Sequence, residues 1–140
     1  MKRLALIVAL GCAGIACREA PAAQAAPAAK VELATLTLEQ VEAKLGAPNV
    51  FLFDANPKEF YEHGHLPGAA WVKFDGVTAG VLPADRAATL IFYCANELCT
   101  ASHTAAEQAR ALGYANTFLM PQGFIGWKKS GRVVVRPDAG

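Results

Sequence analysis

The sequence has little excess charge, few cysteines and no long apolar run. In 140 residues, 13 Lys and Arg residues face 12 Asp and Glu residues, which gives a formal net charge of +1. Such a balance provides no large basic surface, so a nucleic-acid partner is not expected. Two of the four cysteines lie within the first 17 residues, which excludes a small fold built on several disulfides. The apolar run over residues 4–10 is too short to span a membrane.

The N-terminus has the pattern of a bacterial export signal. Lys2 and Arg3 precede an apolar core (LALIVAL), which small residues follow. The segment ending Gly-Ile-Ala-Cys17 resembles a bacterial lipobox, although the usual leucine three positions before the cysteine is absent. We therefore predict a signal peptide over residues 1–17, with lipid attached to Cys17. Cys12 is the alternative lipid site, and cleavage of an ordinary signal near residues 20–22 is the alternative process.

The predicted export signal determines where we expect the protein and how we expect its globular domain to be attached. Residues 18–32 are mainly Ala, Pro and Gln, a composition that forms no core, so we predict a tether. Arg18, rather than an aspartate, follows Cys17, which favours the outer membrane over the inner one. We expect a lipid-anchored protein of the bacterial cell envelope, on the periplasmic side, with its globular domain over residues 33–137. A domain of this length can bury a core without disulfides.

Within that domain, helical patterns alternate with short apolar runs. Helices are predicted over residues 37–45, 57–62, 100–112 and 122–130, and strands over residues 50–53, 69–72, 90–93 and 117–120. Thr100 and Gly113 are the expected caps of the third helix. The alternation predicts an α/β fold with a mainly parallel central sheet. Functional sites in such folds form at the carboxyl ends of the strands.

Cys94 lies at such a carboxyl end, between a predicted strand and a predicted helix. Unpaired N–H groups and the dipole at a helix start favour a negative charge, so we expect a lowered pKa for the Cys94 thiol. A loop of small residues can also curl its N–H groups into a concavity that holds an anion. This pattern suits a nucleophile that carries an anionic sulfur group and needs no metal or organic cofactor. The alternative interpretation is a small buried hydrophobic residue.

Three ordered segments resemble the signatures of the rhodanese-like sulfurtransferase family. They read LFDANPKEFYEHGHLPGAAWV, IFYCANELCTASHTAAEQARALGYAN and GYANTFLMPQGFIGWKKSGRVVV, and they cover the chain from about residue 36 to residue 134. The resemblance implies a rhodanese-like fold with helices on both faces of the sheet. It also implies that Cys94 takes sulfane sulfur from a small donor as a persulfide and passes it to a thiol or cyanide-like acceptor. Such a transfer in two steps is covalent catalysis.

By the same resemblance, the loop backbone after Cys94 cradles the persulfide. The implied substrate-binding residues are Ala95, Asn96, Glu97, Leu98, Cys99 and Thr100. Two other functions stay open: a thiol–disulfide redox protein that uses Cys94 with Cys99, and a non-catalytic interaction module that kept only the fold. The sequence specifies no protein partner, and membrane contact is expected through the lipid alone.

Several positions depart from the family pattern. Cys99 stands where members acting on thiosulfate often have arginine, and Glu97 where they often have glycine. A carboxylate with no basic residue in the loop repels an anionic donor, so thiosulfate is not the expected donor. Asn56 replaces an arginine and Gln122 a glycine of the flanking signatures. Related phosphatases need an arginine at the loop end, which argues against phosphatase activity here.

The role of Cys99 has three interpretations. It could attack a persulfide on Cys94, releasing sulfide and leaving a disulfide; it could form a redox couple with Cys94; or it could be a passive residue under the loop. Cys94, Cys99 and His103 also have a spacing seen among metal ligands, but three ligands with no evident fourth do not predict a metal site.

Four other residues receive structural roles from the sequence. By the family resemblance, His65 is expected to fix a turn before the next strand; Asp54, which ends a predicted strand, is expected to shape the sheet edge. Phe124 and Trp127 are expected to pack the last helix onto the sheet, since aromatic residues at helical spacing usually belong to the core.

Overall fold

The structure is a computed structural model that describes residues 32–137. The predicted signal peptide, both candidate lipid sites (Cys12 and Cys17) and the predicted tether up to residue 31 lie outside the described residues. Within residues 32–137, no helix has the length and apolar character needed to cross a bilayer.

The domain has five strands and four helices, and a helix separates each strand from the next except between β3 and β4. The strands are β1 Ala34–Thr35, β2 Val50–Asp54, β3 Ala69–Trp71, β4 Thr89–Tyr93 and β5 Thr117–Leu119. The helices are α1 Leu38–Glu42, α2 Lys58–His63, α3 Ala101–Ala111 and α4 Gly123–Lys129. The strands form one sheet in the order β1-β5-β4-β2-β3, and every neighbouring pair is parallel. The predicted parallel α/β architecture is therefore confirmed; β1 was not predicted.

The sheet is covered on both faces, which explains why its central strands are continuous apolar runs. On one face, Phe53 and Phe92 belong to a buried cluster with the alanines of α3, and their rings stack with centroids 5.0 Å apart. On the other face, Leu52 and Ile91 pack with Val41 of α1 and with Trp127 of α4. The prediction of helices on both faces is confirmed.

Local chemistry fixes the helix ends. Thr37 and Gln40 form a reciprocal capping box at the start of α1, with bonds of 2.9 and 3.3 Å. At the end of α3, Tyr114 N–H donates to the Ala109 carbonyl and Gly113 N–H to the Arg110 carbonyl, which is the Schellman arrangement. Thr100 takes the predicted cap position of α3, but its side chain makes no capping bond. Its αR backbone (φ −92°, ψ −7°) differs from the extended conformation that side-chain capping requires.

Three residues expected to be structural have contacts of that kind. Trp127 is 1% exposed, and its Nε1–H donates to the Val133 carbonyl at 2.7 Å. His65 is buried and exchanges both backbone hydrogen bonds with Val135. Phe124 is half-buried and meets the ring of Phe60 edge-on, with centroids 5.3 Å apart.

Candidate functional site

Cys94 directly follows β4 at the carboxyl edge of the sheet. The loop that it begins runs to Thr100 and leads into α3. Strand β2 pairs with β4 so that Asp54 lies opposite Tyr93, which brings the end of β2 beside the start of this loop. The structure therefore places the predicted nucleophile where parallel α/β folds form their sites.

Helix α4 holds the first residues of the loop from the other side. Phe124 N–H donates to the Cys94 carbonyl at 2.8 Å, and Ile125 N–H donates to the Ala95 carbonyl at 2.9 Å. Gly123 makes this approach sterically feasible, because a Cβ there would lie 2.5 Å from the Cys94 carbonyl oxygen and 2.7 Å from that of Ala95. The sequence did not lead us to predict a role for Gly123; its only signal is its place directly after Gln122 in the third family signature.

The loop is closed by a disulfide between Cys94 and Cys99, whose Cα atoms are 6.2 Å apart. This separation lies within the usual range for a bridge. Asn96 organises the turn between them: its carbonyl accepts from Cys99 N–H at 3.1 Å, and its Oδ1 accepts from Leu98 N–H at 3.0 Å. In the closed loop these two N–H groups are therefore engaged within the turn.

The two sulfur-bearing residues differ in exposure. Cys94 is 1% exposed, whereas Cys99 is half-buried. Leu98, which lies between the two cysteines in the loop, is 91% exposed. Cys94 is therefore covered and bonded in this form, and its thiol does not titrate here.

The remaining predicted loop residues project outward. Asn96, Glu97 and Thr100 are exposed, and Ala95 is half-buried under α4. His103 is exposed on α3. Across residues 32–137, no group of three or more His, Cys, Asp or Glu residues is arranged to hold a metal ion, and the Cys94, Cys99 and His103 spacing forms no such group.

Asp54 is a buried carboxylate next to the site. Its Oδ1 accepts from the backbone N–H and the side-chain amide of Asn56, at 2.8 and 2.7 Å. Its Oδ2 has no hydrogen-bond partner among the described residues. Burial raises the pKa of Asp54, and the bonds from Asn56 oppose that shift only in part. Burial, followed by the charge of Asp54, likewise raises the pKa of Tyr93, so its hydroxyl stays neutral.

Because burial raises the pKa of Asp54, we expect the free energy of unfolding to depend on pH. A carboxyl group whose pKa is higher in the folded state contributes most below its unfolded pKa of about 4, and the contribution is lost as pH rises through the folded pKa. Asp54→Asn keeps an oxygen for the Asn56 donors and removes the titration. We expect the free energy of unfolding of the wild type, minus that of Asp54→Asn, to fall as pH rises from about 4 to 8. Urea unfolding across that range measures it; a flat or rising difference contradicts the assignment.

A cavity of about 450 Å³ opens beside the disulfide. Cys99 and Ala101 contribute to its wall, together with Pro57, Trp71 and Phe74. Trp71 is held by a 2.9 Å hydrogen bond from its Nε1–H to the Asn56 carbonyl, so Asn56 supports this wall. Sequence reasoning did not find the cavity.

Comparison with known proteins places the chain among relatives of known fold. A family model described as a rhodanese-like domain matches residues 37–130. No curated protein sequence matches significantly.

Solved structures give the same architecture. A Bacillus halodurans protein has a TM-score of 0.69 at 18% identity, covering 74% of this chain and 77% of its own. The 3-mercaptopyruvate sulfotransferase SseA of Escherichia coli has a TM-score of 0.62 at 16% identity, covering 76% and 51%. A thiosulfate sulfurtransferase from Pseudomonas aeruginosa has a TM-score of 0.64 at 22% identity, covering 77% and 20%. At these identities the likeness shows the fold.

Proposed function

Because the chain belongs to the rhodanese-like family, we propose that it is a sulfurtransferase that carries sulfane sulfur as a persulfide on Cys94. The observation that carries this proposal is the position of Cys94, at the end of β4 and before α3, with its carbonyl held by α4. Structural similarity to two sulfurtransferases supports it. The same position would place the thiolate beside the start of α3, where N–H groups favour a negative charge.

The proposed reaction begins from the reduced, opened loop. The Cys94 thiolate attacks the outer sulfur of the donor; a new S–S bond forms, and the rest of the donor leaves with the electron pair. The acceptor then attacks the terminal sulfur, and Cys94 leaves as a thiolate. Glu97 is exposed in the loop, so a dianionic donor such as thiosulfate meets like charge there, and we propose a donor of lower negative charge.

The disulfide gives Cys99 a reactive role in this scheme. A Cys99 thiol can attack the Cys94 sulfur of the persulfide, which forms the observed bridge and releases hydrogen sulfide. The same bridge favours a second candidate function, a thiol–disulfide redox protein that uses the two cysteines without any transferred sulfur. The two functions differ in whether an extra sulfur atom ever resides on Cys94.

Intact mass measurement after incubation with a panel of sulfur donors tests the proposal. We expect Cys99→Ser, which cannot form the bridge, to accumulate one extra sulfur on Cys94, while the reduced wild type releases sulfide and gains the disulfide. Cys94→Ser treated in the same way is the control and should gain nothing at position 94. If no donor adds sulfur to Cys99→Ser, yet the wild-type disulfide equilibrates reversibly with a thiol couple, the redox function replaces the transferase.

We also propose that the protein is exported and anchored by lipid on Cys17, at the periplasmic side of the outer membrane. Support comes from the sequence pattern alone, since residues 1–31 lie outside the described residues. The same intact mass, taken on protein purified from membranes, reports the lipid and the cleavage site. A full-length unmodified mass, or a lipid on Cys12, contradicts this assignment.

A further inference from the structure

We propose that the cavity beside Cys99 binds a small thiol with an apolar body and a terminal carboxylate, and that this thiol opens the disulfide by attacking Cys99. The inference deepens the proposed function, because it supplies the step that returns Cys94 to its reactive form, and for its biological use it rests on that function. The exchange itself involves no sulfur donor and is measured separately.

The two sulfur atoms of the disulfide are not equally accessible. An attacking thiolate must reach one of the two sulfur atoms, and accessibility limits which one it reaches. Cys94 is 1% exposed and its backbone is held by α4, whereas Cys99 is half-buried and lies in the cavity wall. Attack from the cavity therefore occurs at Cys99, and the leaving group is Cys94.

The cavity beside Cys99 has a largely apolar lining. Pro57, Trp71 and Phe74 give it an apolar wall, and Phe74 is 44% exposed although it is a large hydrophobic residue. A second cavity, of about 340 Å³ and lined by residues such as Glu97 and Gln122, touches neither cysteine. An apolar molecule bound in the cavity beside Cys99 can therefore contact the disulfide, whereas a molecule bound in the second cavity cannot.

The charged residues that line the cavity are mainly basic. Lys58 and Lys73 contribute to its lining, against the single carboxylate of Glu59. Both ammonium groups are exposed: Lys58 Nζ is 3.9 Å from Glu62, and Lys73 Nζ is 3.1 Å from Asp75. Exposed pairs of this kind hold their partners weakly, so either lysine is available to a carboxylate at the far end of a bound thiol.

The proposed exchange balances with two equivalents of thiol. The first thiolate forms a bond to the Cys99 sulfur, the Cys94–Cys99 bond breaks, and Cys94 leaves with the electron pair as a thiolate. A second thiolate attacks the sulfur of the bound thiol, so that Cys99 leaves and the thiol departs as its own disulfide. The protein gains two electrons, the two thiols lose them, and the thiol protons pass to solvent or to the released cysteines.

The test compares mercaptohexanoate with mercaptopropionate on the oxidised protein. Both have a terminal thiol and a terminal carboxylate, and they differ by three methylene groups. Since each fully buried methylene is worth roughly a fourfold effect, we expect partial burial to make opening about tenfold faster with the longer thiol. Acid quenching, alkylation and cleavage after Glu97, which separates the two cysteines, should show the first mixed disulfide on Cys99 and the first alkylated thiol on Cys94.

Phe74→Ser removes the exposed aromatic wall, and we expect it to reduce the advantage of the longer thiol to below about threefold. Phe51→Ser is the matched control, because Phe51 is 38% exposed, lies near the opposite end of β2 and does not line the cavity; it should behave like the wild type.

A first mixed disulfide on Cys94, or a chain-length effect equal in wild type and Phe74→Ser, overturns the proposal. The wild-type mapping needs no variant, so it decides the point of attack even if Phe74→Ser misfolds. If no donor transfers sulfur but the thiol exchange behaves as expected, the transferase function is wrong and the assignment of the cavity still holds.

Discussion

Replacing Cys94 by serine is expected to lower sulfur transfer by at least about a thousandfold. The serine hydroxyl is not ionised near neutral pH, and oxygen cannot hold the transferred sulfur as a persulfide. The loop, the hydrogen bonds from α4 and the cavity all stay available in Cys94→Ser, so the loss isolates the nucleophile. Initial rates with the best donor and a thiol or cyanide acceptor measure it.

The matched control for this result is Cys99→Ser. Both variants lose the same disulfide, whose short loop contributes about 2 kcal/mol to the free energy of unfolding in the chain-entropy description. Any shared loss of stability therefore cancels in the comparison. Cys99→Ser should keep the first half-reaction, the formation of the persulfide. Equal residual activity in the two variants would show that Cys94 is not the nucleophile.

Gly123→Ala is expected to damage both the stability and the site. At φ +60° an alanine costs about 1–2 kcal/mol, and its Cβ would lie 2.5–2.7 Å from backbone atoms of Cys94 and Ala95. Backbone cannot move aside as a flexible side chain can, so the loop or α4 must shift. We expect the free energy of unfolding to fall by about 2–5 kcal/mol and persulfide formation to slow at least tenfold. Urea unfolding and donor kinetics measure the two effects.

Gly131→Ala separates backbone strain from the clash. Gly131 follows α4 with φ +78°, and a Cβ there meets nothing within 4 Å. Gly131→Ala should therefore lose about 1–2 kcal/mol of unfolding free energy from the left-handed backbone, without any contact with the loop. Its donor kinetics should match the wild type. If the two alanine variants lose equal stability and Gly123→Ala keeps full activity, the contact between α4 and the loop does not align the site.

Sequence patterns predicted the parts of the fold whose signals are local. Strands β2 and β4 are apolar runs because both faces are buried, and α3 has recognisable ends. Strand β1 has only two exposed residues, so no pattern marks it; its pairing with β5 defines it. Cys94 was found because its place between a strand and a helix is itself a sequence feature.

The rest of the site depends on contacts between distant segments. Pro57, Trp71, Phe74 and Cys99 meet at one cavity only after the sheet has formed, and none is marked by its neighbours in sequence. The need for glycine at position 123 arises from carbonyl groups almost thirty positions earlier. Closure of the disulfide was one of several outcomes compatible with the spacing, and the hydrogen bonds that Asn96 accepts within the turn are not visible in the sequence.

The hydrogen bonds that α4 donates to the loop also impose an order of events during synthesis. A ribosome delivers Cys94 and Cys99 together, while Phe124 and Ile125, whose N–H groups align the loop, arrive about twenty-five residues later. The cytosol keeps these thiols reduced, but on the proposed export route both thiols enter an oxidising compartment before α4 does. Covalent closure can thus precede alignment in the nascent chain, and a protein truncated before α4 would keep its cysteine bridge but lose the support that orients it.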